Sequence, residues 1–221
     1  MKRFSLRYLL LTSRFDQIWF PSAFWVLMVL IAVVRGEAYV ADTARAYLGA
    51  VIPLISGILS AYAVLQDPAL ELRFATPVRS LQTLLERLLP ILLIQTFFAL
   101  AFQAFAALYK ADFSPYFNSW GSMQLAWLVP GLSLMLLGCF SALASANPAT
   151  GAVLTGMVWL VQLVARGWFA EQAIGKYFLV FMSPFMTDHP ALRANQLALA
   201  GLGILFFTAS WALLRRQERY L

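Results

Sequence analysis

The chain has 221 residues, of which 62% are apolar and only 12% carry a charge. Soluble domains are close to half apolar and a quarter charged, so this composition argues against an ordinary cytosolic enzyme and against a disordered chain. The single cysteine, Cys139, excludes a disulfide-stapled domain. The net charge of +6 does not indicate nucleic-acid binding, because the bases flank apolar segments and form no stripe. The sequence predicts an integral membrane protein.

The first 16 residues are predicted to form an amphipathic helix that lies in the membrane interface. At about 100° per residue, its apolar and basic side chains fall on adjoining arcs. Such a helix places its apolar face among acyl chains and its bases on lipid phosphates. The apolar face comprises Phe4, Tyr8, Leu11, Phe15 and Ile18, and the basic arc comprises Arg3, Arg7 and Arg14. A frayed cytoplasmic tail is the alternative.

Charge-free runs predict where the chain crosses the bilayer. A charged side chain at the bilayer centre costs about 2.5–3.5 kcal/mol on insertion scales, and a crossing takes about 20 residues. The longest run has a turn-forming cluster at residues 147–151, Asn-Pro-Ala-Thr-Gly, and is long enough for two crossings. We therefore predict an all-α bundle of six transmembrane helices. Their approximate bounds are residues 17–35, 46–66, 88–109, 122–145, 150–168 and 195–214.

The basic residues predict the orientation. An even number of crossings places both termini on one side, and the positive-inside rule assigns the more basic side to the cytoplasm. One side holds Lys2, Arg3, Arg7, Arg14, Arg73, Arg79, Arg87, Arg215, Arg216 and Arg219; the other holds Arg35, Arg45, Lys110, Arg166, Lys176 and Arg193. The ratio of ten bases to six favours cytoplasmic termini.

The cytoplasmic loop at residues 67–87 carries two helix-start signals. Asp67 precedes Pro68 and Thr76 precedes Pro77, and each pair matches a capping residue followed by proline at the first helical position. The pattern predicts a short helix at residues 68–75, lying across the membrane surface, and a second helix that runs into the third span. The first helix would present Glu71, Leu72, Arg73 and Phe74 to a partner. A plain linker is the alternative.

The outer segment at residues 169–193 is aromatic but too interrupted to cross. Its longest charge-free run, residues 177–187, would rise only about 16 Å as a helix, against a hydrocarbon core of about 30 Å. We predict two short helices that re-enter the outer leaflet or cap the bundle. His189 in this segment is interpreted as a solvated loop residue, because one histidine without a second ligand is weak evidence for a metal.

The sequence contains no recognisable catalytic constellation. No phosphate-binding Gly-x-x-x-x-Gly-Lys-Ser/Thr motif occurs, the serines in the spans have no histidine at a matching depth, and no predicted span holds paired carboxylates. We predict no catalytic residue and no metal site. The mid-span polar residues Ser56, Gln95, Gln103, Ser133 and Gln162 are candidate pathway-lining residues. Such residues more often form hydrogen bonds between helices.

In this order, the elements resemble the permease subunit of a type-2 ABC transporter, of the bacterial exporter class. The most specific match is ELRFATPVRSLQTLLERLLP at residues 71–90, which is similar to the family's Glu-Leu…Ala-Thr-Pro-Val stretch before the third span. ASANPATGAVLTGMVWL at residues 144–160 and the ending WALLRRQERYL at residues 211–221 support it. By topology the resemblance covers the whole chain as a single transmembrane domain, residues 1–221.

The resemblance implies a pathway subunit that does not itself hydrolyse ATP. A separate ATPase subunit would bind ATP and Mg²⁺, and a second permease copy or a related permease would complete the pathway in the bacterial inner membrane. Residues 1–19 would be the connecting helix and residues 170–186 the outer gate hairpin. The substrate class that fits the short outer loops is an amphipathic or hydrophobic molecule such as a peptide, antibiotic or lipid. The coupling helix would dock on the ATPase through Glu71, Leu72, Arg73, Phe74, Thr76 and Pro77.

Two alternatives from other functional classes remain at this point. A membrane-embedded lipid-modifying enzyme would need a nucleophile, a metal site or convergent acids at one depth. A structural subunit of a membrane complex would not need the helix-start signals at residues 67–77. The expected partners are membrane lipids, the ATPase and a second permease, without nucleic acid.

Overall fold

The computed structural model describes residues 16–66 and 80–215, and within these ranges it is helical without any strand. The predicted all-α fold is thereby confirmed. The predicted interfacial helix at residues 1–16, apart from the backbone of Asp16, lies outside the described residues. So do the predicted coupling helix and the last six residues of the basic tail.

Five apolar segments of the described chain are long enough to cross a bilayer, which makes the protein a multi-pass membrane protein. The α-helices of the described residues are α1 (Asp16–Arg35), α2 (Val40–Ala46), α3 (Ile52–Ala63), α4 (Ser80–Leu108), α5 (Trp120–Ser145), α6 (Pro148–Val164), α7 (Arg166–Glu171), α8 (Met182–Phe185) and α9 (Leu192–Leu214). Helices α2 and α3 belong to one continuous segment. The candidate spans are Gln17–Arg35, Glu37–Ala63, Ser80–Leu108, Trp120–Ser145 and Leu192–Leu214. The apolar helix α6 has 17 residues and is shorter than these five.

The second span begins earlier than predicted. A 3₁₀ turn at Glu37–Tyr39, α2, a π-helical turn at Tyr47–Val51 and α3 form one segment, Glu37–Ala63, whereas the sequence predicted a start near residue 46. The predicted start rested on treating charged residues as boundaries. Asp42 lies inside the helix and is 3.7 Å from Arg35 and 3.8 Å from Arg45. These ion pairs lower the cost of placing charge there.

The third span also begins earlier, because α4 starts at Ser80 and continues through Glu86 and Arg87. The predicted loop at residues 67–87 therefore ends in a helix that runs into the span, as its second helix-start signal predicts. The Arg87 side chain is only 6% exposed, so it packs inside the bundle rather than in a solvated loop.

The predicted break between the fourth and fifth helices is confirmed. Ala146 adopts a left-handed conformation with φ of 51°, and the Asn147 side chain accepts hydrogen bonds from the backbone N–H groups of Ala149 and Thr150. Pro148 occupies the first turn of α6, where its missing N–H leaves no hydrogen bond unmade. Helix α6 ends at Val164 rather than near residue 168, and the short α7 follows.

Three connections meet at one end of the bundle, which we call the charged end. They are residues 35–45, residues 109–119 and residues 165–191. The Arg45 guanidinium carbon lies 4.4 Å from the centre of the Tyr116 ring and 5.3 Å from that of Phe185, and so joins all three. The outer segment there consists of α7, a 3₁₀ turn at Gly175–Phe178 and α8, three short pieces where the sequence predicted two.

The centre of the bundle is a close contact between α3 and α5. A Cβ atom at Gly138 would overlap the backbone carbonyl of Gly57 and lie 2.7 Å from Ser60 Oγ. The Ser60 hydroxyl donates a 2.6 Å hydrogen bond to the Met135 carbonyl of α5. Without water to drive association, helices in lipid depend on such close packing and interhelical hydrogen bonds. Helix α6 completes the centre, because a Cβ at Gly151 would lie 2.6 Å from the Ala142 backbone nitrogen.

We expect Gly138→Leu to lower the free energy of unfolding by about 1–3 kcal/mol, because the added side chain forces the helices apart. The measurement is a thermal or detergent denaturation curve of the purified protein in micelles. Gly201→Leu is the matched control, since a Cβ at Gly201 meets no atom of the described residues within 4 Å. Equal effects of the two substitutions would contradict a structural role for the contact.

Candidate functional site

A buried aromatic layer joins α1, the π-helical turn and α4. The Tyr47 ring lies 4.6 Å from the Phe102 ring, centre to centre, and the Trp25 ring meets Phe102 edge-on at 6.4 Å. Phe105 extends the layer toward the charged end, with its ring centre 5.5 Å from that of Phe102. Tyr47 faces this layer from a π-helical turn, a feature that is frequent at functional sites. We call Trp25, Tyr47, Phe102 and Phe105 the aromatic layer.

The aromatic layer contains two buried polar atoms that have no hydrogen-bond partner within residues 16–66 and 80–215. They are the indole nitrogen of Trp25 and the hydroxyl oxygen of Tyr47. A buried polar group left unpaired costs about 1–3 kcal/mol, so each needs a reason or an absent partner. Sequence reasoning missed both residues, because aromatic side chains in an apolar run are indistinguishable from core. The signal available in the sequence was that this position of the second span is a tyrosine, which carries a hydroxyl, and not a phenylalanine.

Gln95 is the predicted pathway residue with the strongest unmet hydrogen-bonding capacity. Its side chain is 1% exposed, and neither its amide nitrogen nor its amide oxygen has a hydrogen-bond partner in the part of the chain that the structure describes. It lies on α4, seven residues before Phe102, so it sits about two turns closer to the other end of the bundle. Together with the Trp25 and Tyr47 polar atoms, it supplies unpaired donors and acceptors in a largely apolar interior.

Gln103 is fully engaged in a bond between helices. Its amide nitrogen donates to the Gln124 side-chain oxygen at 3.3 Å, and the Gln124 amide nitrogen donates back to the Gln103 oxygen at 2.7 Å. The Trp127 indole N–H also donates to the Gln124 oxygen, at 2.8 Å. This reciprocal pair ties α4 to α5, which is the role such residues most often have in membrane bundles.

The other three predicted pathway residues are also engaged. The Ser56 hydroxyl donates to the Ile52 carbonyl of its own helix, and the Ser133 hydroxyl donates across to the Leu199 carbonyl of α9. The Gln162 side-chain oxygen accepts the Val180 backbone N–H, and so ties α6 to the outer segment. The structure does not gather the five residues into one cluster of free polar groups. Their pathway role remains a prediction.

An apolar cleft of about 290 Å³ opens between α5 and α9 beside Ser133. Because the Ser133 hydroxyl is already bonded to Leu199, the cleft offers apolar surface and little hydrogen bonding. It has the chemistry of a site for a hydrocarbon chain. Its lining residues are Val129, Leu132, Ser133, Leu136, Leu199, Ala200, Gly203, Ile204 and Phe207.

The charged end carries a cluster of arginines on aromatic rings. The Arg35 guanidinium carbon lies 4.8 Å from the centre of the Tyr39 ring and an Arg35 nitrogen donates to the Thr43 hydroxyl at 3.3 Å. The carboxylate of Asp42 faces both Arg35 and Arg45. Two arginines therefore share one carboxylate.

The adjoining loop at the charged end contributes one further acid. The Ser114 backbone N–H donates a 2.8 Å hydrogen bond to the Asp112 carboxylate, which holds the pKa of that carboxyl below its usual value. Asp112 is therefore ionised at neutral pH, on the exposed surface of its loop. His189 lies half-buried, and its Nδ1 accepts the Ala191 backbone N–H at 3.1 Å.

The predicted coupling residues cannot be placed on the fold. Glu71, Leu72, Arg73, Phe74, Thr76 and Pro77 all lie outside the described residues. Within residues 16–66 and 80–215, no group of three or more histidine, cysteine, aspartate or glutamate side chains is arranged to hold a metal ion.

Comparisons of the chain with protein-family models, with curated proteins and with solved structures found no match. The family resemblance therefore rests on the motifs at residues 71–90, 144–160 and 211–221.

The two glutamines of α4 predict opposite effects on stability. We expect Gln95→Leu to leave the free energy of unfolding unchanged or to raise it, because it removes an unpaired buried amide. Gln103→Leu should lower that free energy by about 1–2 kcal/mol, because it leaves the Gln124 amide nitrogen without its partner. Denaturation curves in micelles measure both. A larger loss for Gln95→Leu than for Gln103→Leu would show that Gln95 has a structural partner.

Proposed function

We propose that the chain is the transmembrane permease subunit of an ATP-driven exporter of the type-2 ABC class. It forms the substrate pathway with a second permease copy, and a separate ATPase subunit on the cytoplasmic side drives it. The substrate is amphipathic or hydrophobic. The chain itself performs no hydrolysis.

The observation that carries the proposal is a non-crossing helical segment at the charged end, placed between α6 and the last span. Short helices at residues 166–185 lie there instead of a seventh crossing. The Asn195 side-chain nitrogen donates to the Lys176 and Leu179 carbonyls, each at 2.9 Å, and so holds the segment to α9. The resemblance implies an outer gate at this position. In the same order of elements, α4 begins within the motif at residues 71–90, after the part that would contain the coupling helix.

The proposal includes α6 as a sixth crossing. Its 17 residues rise about 26 Å, somewhat less than an average hydrocarbon core of about 30 Å. The start of α6 follows the turn at Asn147, and its end lies beside the charged end through Gln162 and Val180. Because α6 runs from one end of the bundle to the other, it spans the same layer of the membrane as the longer helices. Helix α7 follows after one residue, begins at Arg166 and belongs to the non-crossing segment.

Buried polar groups in the apolar interior support a pathway for an amphipathic molecule. Gln95, Trp25 and Tyr47 offer unpaired hydrogen-bonding atoms, and the cleft beside Ser133 offers apolar surface. Only 22% of the first span and 22% of the last span are buried within the chain. Their exposed apolar surface is available to lipid and to a second permease.

Six crossings and cytoplasmic termini make a direct topological prediction. Alkaline phosphatase fused after Leu221 should be inactive, because the enzyme needs the oxidising side of the membrane to form its disulfides. The same reporter inserted within residues 111–118 should be active. A fluorescent protein that folds only in the cytoplasm serves as the reciprocal reporter. An active phosphatase at Leu221 would overturn both the orientation and the proposed coupling.

The coupling proposal predicts that a soluble ATPase with Walker motifs co-purifies with the chain. Phe74→Ala and Glu71→Arg should weaken its binding by about 2 kcal/mol, or roughly 30-fold, because an aromatic anchor flanked by charge is typical of an interface hot spot. Both variants should remain inserted and folded. Quantitative mass spectrometry of the purified complex measures the ratio of ATPase to permease.

The matched controls lie at the charged end, on residues that are exposed. Phe178→Ala and Glu171→Arg make the same chemical changes there and should leave the ATPase ratio unchanged. If the loop variants retain the ATPase as the parent does, residues 67–79 are a linker. If no ATPase accompanies the parent, the transporter proposal itself fails.

A further inference from the structure

Two arginines from distant parts of the chain meet on one aromatic ring at the charged end. Arg45 comes from α2 and Arg166 from α7, and their guanidinium carbons lie 5.3 Å and 5.4 Å from the centre of the Phe185 ring of α8. Tyr116 packs against Arg45 from the connection between α4 and α5, at 4.4 Å. We call Arg45, Arg166, Phe185 and Tyr116 the arginine–aromatic cluster. Four separate elements build it.

The cluster has more positive charge than its neighbouring carboxylate can neutralise. Asp42 faces Arg35 and Arg45, and its single negative charge is shared between them. No carboxylate of residues 16–66 and 80–215 lies within 4.0 Å of the Arg166 guanidinium. Although residues 35–45, 109–119 and 165–191 together carry five basic and five acidic side chains, Asp42 is the one carboxylate of the described residues at ion-pair distance from these guanidinium groups, and it does not reach Arg166. Cation–π contacts with Phe185 and Tyr116 are worth only about 0.5–2 kcal/mol and do not cancel charge.

The Arg45 guanidinium is held in a fixed position. The rings of Tyr116 and Phe185 pack against it, and its Nη2 lies 3.8 Å from the Asp42 carboxylate. Its Nε is buried and has no hydrogen-bond partner among the described residues, so a phosphate would reach Arg45 through the exposed part of the side chain. A fixed, planar guanidinium matches the oxygen atoms of a phosphate better than a lysine does.

The cluster is accessible from outside the chain. The Arg45 side chain is 23% exposed, and Arg166 is exposed. Exposed apolar side chains flank Arg166 in the sequence, namely Val164 and Trp168. Tryptophan beside arginine at the end of an apolar helix is typical of the interface between headgroups and acyl chains. A phosphate bound here would bring its own hydrocarbon against apolar surface.

We propose that the arginine–aromatic cluster binds the phosphate headgroup of an anionic membrane amphiphile. Arg45 and Arg166 donate to the phosphate oxygens, Phe185 holds the two guanidinium groups, and the acyl chains cover Val164 and Trp168. The amphiphile is favoured over free phosphate because the apolar surface adjoins the charge. This site is independent of the transport proposal, since it requires only the described contacts at the charged end.

The test is native mass spectrometry of the purified full chain in an uncharged detergent. Dioleoyl phosphatidate is titrated, with dioleoyl phosphatidylcholine as the lipid of equal chain length and no net charge. One equivalent of phosphatidate should bind, and phosphatidylcholine should bind at least tenfold more weakly. Equal binding of the two lipids would overturn the proposal, and so would the absence of phosphatidate binding.

Variants separate this cluster from the general positive charge of the surface. Arg166→Gln should weaken phosphatidate binding about tenfold, which corresponds to the loss of one charge-assisted hydrogen bond. Arg193→Gln removes the same charge from an exposed arginine of α9 and should change binding less than twofold. If both substitutions weaken binding equally, the attraction is diffuse and the site is refuted. Arg166→Lys keeps the positive charge but loses the paired N–H donors of the guanidinium. Its affinity for phosphatidate should lie between those of the parent and of Arg166→Gln.

A competition arm distinguishes the two sources of phosphate. Inorganic phosphate at millimolar concentration should displace little phosphatidate, because it lacks the acyl chains. Complete displacement of phosphatidate would identify free phosphate as the ligand and would overturn the proposal of a bound amphiphile. A denaturation curve for each variant checks that it is folded. Arg166 is exposed and its substitution breaks no ion pair within the described residues, so a folded variant is expected.

Discussion

The close approach of α3 and α5 is the constraint on which the rest of the bundle depends. At Gly57 and Gly138 the two backbones come so near that a single Cβ would overlap a carbonyl. Lipid gives apolar helices no reason to associate, so van der Waals contact and hydrogen bonds such as Ser60 to the Met135 carbonyl must hold them. Because α3 continues from α2 through the π-helical turn, this contact also fixes the position of Tyr47 in the aromatic layer and of Arg45 at the charged end.

The sequence predicted the helical class, the apolar segments and the turn at Asn147, because these follow from local properties. Apolar runs insert, and an asparagine before proline begins a helix. It did not predict that the second span starts at Glu37, because that depends on partners from elsewhere in the chain. Asp42 is tolerated inside the helix where Arg35 and Arg45 meet it, and a rule that counts charges along the sequence cannot detect this neutralisation.

The candidate site was predictable as a set of residue types but not as a set of contacts. The sequence identified Gln95 and Gln103 alike, since both are mid-span amides on α4. Only the fold distinguishes them: Gln103 meets Gln124 on α5, whereas Gln95 meets no hydrogen-bond partner among the described residues. The unpaired atoms of Trp25 and Tyr47 could not be inferred, because whether an indole or phenol is paired depends on side chains from other helices. Unmet hydrogen bonds are therefore a property of the packing.

The π-helical turn connects two of the regions of the described chain in which such unmet groups occur. Arg45 precedes Tyr47 by two residues, and Gly49 follows in the same turn, where a Cβ would overlap the Pro184 ring. Pro184 is adjacent to Phe185, so the short α8 packs directly on the turn that carries Tyr47. One stretch of backbone thus positions the guanidinium on Phe185 at the charged end and the hydroxyl in the aromatic layer. Because interiors are close-packed, a displacement of α8 cannot leave the turn where it is. Helix α8 and the turn that carries Tyr47 are therefore in direct contact at Gly49, and this contact joins the charged end to the aromatic layer.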